Sequence, residues 1–102
     1  MAINVLTILL LNNAPVQATE SKDQAQKAGK EHYNSYCISC HGINMVNIGT
    51  RSFDLRKFPL NDRARFVKSV KDGKKSMPAW KDVLGDDAIR QLWEYVKTRG
   101  KS

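Results

Sequence analysis

The chain has 102 residues, enough for one domain, and 41% of them are hydrophobic against 26% charged. A mean hydropathy of −0.50, six Gly and three Pro exclude a membrane-embedded bundle and a collagen-like or low-complexity chain. Lys and Arg outnumber Asp and Glu by 17 to 10, for a net charge of +7, and two cysteines are too few for a disulfide-built scaffold.

The elements follow in chain order. Residues 3–11 form an uncharged, largely apolar run, followed by Pro15 and by Val16 and Ala18 in the small-x-small arrangement of a secretory cleavage site. Nine helical residues rise only about 14 Å, against roughly 30 Å of hydrocarbon, so the run is too short to span a bilayer. The pattern predicts a cleaved signal peptide over 1–18, a domain over 19–102 and export to the periplasm. Lys22 to Tyr36 has no Pro and is rich in Lys, Gln, Ala and Glu, which predicts a helix. Residues 42–60, rich in Gly, Asn, Thr and Ser, predict a wrapping loop. A second helix is expected over Asp62 to Asp72, with Asn61 as its N-cap and Gly73 at its C-terminal end. A loop holding Met77-Pro78 follows. The last helix is expected from Gly85 or Asp86, where Ile89, Leu92, Trp93 and Val96 recur at i, i+3, i+4, i+7. No run alternates with period 2, so the predicted class is all-α, with three main helices.

The chemistry lies in Cys37-Ile38-Ser39-Cys40-His41. C-x-x-C-H is the attachment signature of c-type haem. Thiols three residues apart on a helical turn reach the two vinyl groups of one porphyrin, and the next residue, His41, is aimed at the iron. Other readings of the motif fit less well. A redox dithiol belongs after a strand, whereas a helical stretch precedes Cys37. A zinc site needs four ligands, and His32 joins Cys37, Cys40 and His41 only by crowding turns of one helix.

A second axial ligand is sought among Met45, Met77, His32 and the lysines. Met45 is four residues from His41, and His32 lies on the helix leading into the motif. Met77 lies beyond a whole helix, in a loop stiffened by Pro78, and is the expected ligand. A His/Met pair raises the iron potential and fills both axial positions, which suits one-electron transfer.

These residues carry a resemblance. Gly29 and Tyr33 before the motif, Leu92, Tyr95 and Val96 in the last helix, and Ser76-Met77-Pro78-Ala79-Trp80 are similar to the corresponding parts of small class I cytochromes c. The resemblance implies the cytochrome c fold, one covalent haem c held by Cys37 and Cys40, and axial ligation by His41 and Met77. In that family a loop proline commonly offers its carbonyl to the ligand histidine. Residues 49–55 contain no proline, so a carbonyl near Ser52 or Phe53 is expected to replace it. The stretch from Phe53 to Trp80 further resembles short cytochromes that take electrons from pyrroloquinoline-quinone alcohol dehydrogenases.

Nine of the basic side chains lie in residues 51–75, with three acidic ones, Asp54, Asp62 and Asp72. Such a rim steers an acidic redox partner; export makes nucleic acid an unsuitable partner, and any membrane contact is expected to be peripheral. Arg56 and Trp80 are the candidate contacts to the haem propionates. The expected function is an electron carrier, not an enzyme, between a dehydrogenase and a cytochrome or terminal oxidase. The alternative is a haem protein with an open sixth position that binds or reduces a small ligand.

Overall fold

The computed structural model describes residues 19–47, 49 and 52–102. The signal peptide expected over 1–18, and Arg51 of the basic segment, lie outside the described residues. The domain is all-α. Its helices are α1 (Lys22–Tyr36), α2 (Ile38–His41), α3 (Arg63–Asp72) and α4 (Asp86–Val96), with 3-10 turns at Ile43–Met45 and Leu55–Lys57. Among the described residues the only β-type pairing is one isolated bridge, Lys74 with Met77.

A capping box starts α1. Ser21 Oγ accepts from the Gln24 amide at 3.1 Å, and Gln24 Oε1 accepts from the Ser21 amide at 2.9 Å. The helix buries a stripe of Ala25, Gly29 and Tyr33. Its partner, α4, buries Ile89, Leu92, Trp93, Tyr95 and Val96, the periodic set expected from the sequence with Tyr95 added. The two helices cross at Gly29. A Cβ there would stand 2.0 Å from the Gln91 carbonyl oxygen and 2.9 Å from Tyr95 Cβ, so only glycine allows this approach. Beside the crossing, Glu20 accepts from Arg90 Nη2 at 2.6 Å and from Gln91 Nε2 at 2.7 Å, tying the chain before α1 to α4.

The start of α3 differs from the expectation by one residue. Asp62, not Asn61, is the N-cap, its carboxylate accepting from the Arg65 amide at 3.3 Å. The Asp62 amide donates to the Pro59 carbonyl at 3.2 Å. That contact places Asn61 inside a turn and leaves the capping position to the next residue. At its other end, α3 is closed by the loop that follows it: the Trp80 amide donates to the Val70 carbonyl at 2.8 Å. Lys74 and Met77 exchange both backbone hydrogen bonds, at 3.1 and 2.9 Å. Phe58, Phe66 and Trp93 stack as an aromatic cluster with ring centroids 5.0 to 5.9 Å apart, joining this half of the molecule to α4.

Candidate functional site

The end of α1 decides where the motif points. Cys37 caps α1 through its amide, which donates to the Tyr33 carbonyl, and it is also the first residue of the turn that becomes α2. The His41 amide donates to the Cys37 carbonyl at 2.9 Å. One turn of helix therefore holds Cys37, Cys40 and His41. All three line a cavity of about 550 Å³, within the usual range for small-molecule sites. From the other side of the sequence, Met77 and Trp80 line the same cavity, together with Phe66 of α3 and Leu92 and Val96 of α4. A second hollow, over Arg63, Lys68 and Lys71 of α3, holds none of the motif residues.

The imidazole of His41 has a defined tautomer. Its Nδ1 lies 3.1 Å from the Phe53 carbonyl oxygen, which can only accept, so Nδ1 carries the proton and Nε2 keeps its lone pair. Burial lowers the His41 pKa, and the Phe53 carbonyl partly opposes that shift; the net effect favours the neutral, ligating form. The carbonyl sought near Ser52 or Phe53 is that of Phe53. Next in the chain, the Gly42 carbonyl accepts from the Tyr33 hydroxyl at 2.5 Å, fixing the peptide between Gly42 and Ile43. Burial, with the neighbouring Cys40, pushes the Cys37 thiol up to about 11. A reactive redox dithiol shows the opposite shift. Among the described residues, no three His, Cys, Asp or Glu side chains group as a zinc cage requires.

The remaining candidates separate. Trp80 lines the cavity and its ring meets that of Tyr36 at 5.3 Å. Arg56 is not among the lining residues; its guanidinium forks onto Asp54, with both nitrogen–oxygen distances at 2.9 Å. Met45 is fully buried in the hydrophobic core and is not among the residues that line the cavity. The cations that do line the cavity are Arg65, Lys74 and Lys75, and the Arg65 guanidinium carbon sits 4.6 Å from the centre of the Phe58 ring. Arg65 and Ser69 flank Phe66 and Val70 on the cavity side of α3. Widening the apolar stripe of that helix by one position picks both out.

The family described as cytochrome c oxidase, cbb3-type, subunit III matches residues 24–96. The chain belongs to this family of c-type cytochromes. It is 30% identical over 102 residues to the cbb3-type cytochrome c oxidase subunit CcoP of Azospirillum brasilense, covering 91% of this chain and 33% of that protein. It is 30% identical over 92 residues to quinohemoprotein alcohol dehydrogenase ADH IIB of Pseudomonas putida, covering 87% of this chain and 13% of that protein. A cytochrome c6 of Parathermosynechococcus lividus is 28% identical over 72 residues, 67% of this chain and 83% of that protein. The chain thus spans only a minor part of the first two relatives. No solved structure matches it. A cytochrome c domain binds haem c covalently and transfers electrons through it; it is not an enzyme in its own right. The cavity of this cytochrome fits that group, offering two thiols, an imidazole with a free Nε2 and a thioether among apolar walls. No helix among the described residues is long and apolar enough to cross a membrane.

Proposed function

We propose that this cytochrome is an exported, periplasmic single-haem electron carrier. In this reading Cys37 and Cys40 hold the haem by thioethers, and His41 and Met77 are its axial ligands. The observation that carries the reading is that all four side chains line one cavity. Bound there, the haem supplies a one-electron couple. The chain's own residues do the rest. His41 presents Nε2 because Phe53 holds the proton at Nδ1. Phe66, Leu92 and Val96 exclude water, and Met77 supplies a soft sulfur that favours the reduced state.

Lys74 and Lys75 are exposed at the cavity and give it a basic edge for an acidic redox partner. A quinohemoprotein (pyrroloquinoline-quinone) alcohol dehydrogenase is the proposed donor and a cytochrome or terminal oxidase the acceptor. Support comes from the relatives named as such a dehydrogenase and as an oxidase subunit. The deciding experiment is acid–acetone extraction of the purified protein. Haem is expected to stay on the wild-type polypeptide, while Cys37→Ala/Cys40→Ala yields little or no stable holoprotein. Extraction of the haem from the wild type would overturn the covalent assignment.

A further inference from the structure

The loop carrying the Phe53 carbonyl has no proline to stiffen it, yet that carbonyl must stay aimed at His41 Nδ1, 3.1 Å away. The next residue does something a proline cannot. Asp54 is the N-cap of the 3-10 turn Leu55–Lys57, and its Oδ1 accepts from the Arg56 amide at 3.0 Å. The same carboxylate receives the Arg56 guanidinium through Nε and Nη2, both at 2.9 Å. The Phe53 carbonyl belongs to the peptide that joins Phe53 to Asp54, so fixing Asp54 fixes the plane of that peptide.

Two further contacts hold the turn from either side. The Arg56 carbonyl accepts from Arg99 Nη1, beyond the end of α4. The Phe53 ring packs edge-on against Phe58, 6.1 Å between centroids. A side chain outside the cavity lining is thereby linked, through one peptide, to the imidazole inside it.

We propose that Asp54, clamped by Arg56, is a positioning residue for the axial histidine. It acts through the Phe53 carbonyl, and it sets the strength of the hydrogen bond at His41 Nδ1. This bond makes the imidazole a more basic ligand, and a more basic ligand favours the oxidised iron. Weakening it therefore raises the reduction potential. The proposal rests on His41 being the haem ligand, and it gives Arg56 a task other than contact with a propionate.

The test uses the holoprotein, after haem content and covalent attachment have been confirmed, so that failure of the haem reading is seen first. Asp54→Ala removes the cap and the clamp. It is expected to speed exchange of the His41 Nδ1 proton, followed by NMR of the reduced protein, by about fivefold, and to raise the potential. Asp54→Asn keeps an acceptor for the Arg56 amide but loses the charge that clamps the guanidinium, and is expected to speed exchange less than Asp54→Ala. Ser21→Ala removes a cap of similar strength at the start of α1, far from the cavity. It is expected to lower the melting temperature while leaving both readouts unchanged. Should Asp54→Ala not yield holoprotein, Arg56→Gln, which releases the clamp and spares the cap, is read in the same way and is expected to show a smaller change in the same direction. The proposal is overturned if proton exchange is unchanged in the variant read. It is equally overturned if Asp54→Ala and Asp54→Asn shift the potential alike with no change in exchange, since Asp54 then acts only as a charge.

Discussion

Two methionines show how residues of one type divide between a cavity wall and the core. Met77 lines the cavity and Met45 is sealed in the core. Met77→Ala should keep the haem attached, lower the potential and open the iron to carbon monoxide, as seen in the reduced spectrum. Met45→Ala should leave that spectrum unchanged and cost about 2–5 kcal/mol of stability in denaturant unfolding. The reverse pattern would move the ligand assignment to Met45. At this scale the sequence is most legible where chemistry restricts residue type. Cys37, Cys40 and His41 announce themselves by spacing, and Met77 by its loop. Arg65 does not, because a basic residue on a helix is ordinarily solvated and only the stacking of α3 on Phe58 turns this one toward the cavity. The Phe53 carbonyl is likewise hidden, since every residue has one and only the loop's path selects it.

At the scale of helices, α1 was legible from its helix-forming composition and α4 from periodicity, with bounds close to those expected. The N-cap of α3 was not, because Asn61 and Asp62 are equally good capping types and the Pro59–Asp62 turn chooses between them. The tie between the first and last helices also predicts a pH response. Hydrogen bonds from Arg90 and Gln91 hold the Glu20 carboxyl below its ordinary pKa of 4.5. A depressed carboxyl contributes stability that is fully present above the unfolded value and lost as pH falls through the folded one. The melting temperature of the holoprotein should therefore fall on acidification below about pH 4.5. Glu20→Gln should lower it at pH 7 and flatten that part of the acid slope. Asp54 and Asp86, also depressed by their basic partners, should sustain the rest.

The whole molecule presents its charge unevenly, and the consequence is kinetic. At about 0.15 M salt the Debye length is about 8 Å, so only charges near the contact steer a partner. Lys74 and Lys75 meet that condition, as cavity-lining residues. Lys74→Glu with Lys75→Glu should slow second-order reduction by an acidic dehydrogenase by about tenfold at low ionic strength. The same pair should flatten the salt dependence and hardly move the potential. Lys22→Glu with Lys27→Glu, on the exposed side of α1, should have a smaller effect. Equal effects from the two pairs would remove the basic edge from the account. The crossing at Gly29 has a consequence in time as well as in space. Synthesis delivers α1 and the two cysteines long before α4 exists, and the stripe of Ala25, Gly29 and Tyr33 has no helix to cover it until Asp86–Val96 arrives. A loop that long closes late and at an entropic cost that packing of the final helix helps to offset. Until then the first helix carries Cys37 at its end with its apolar stripe uncovered, and the last helix is the piece that closes the domain over it.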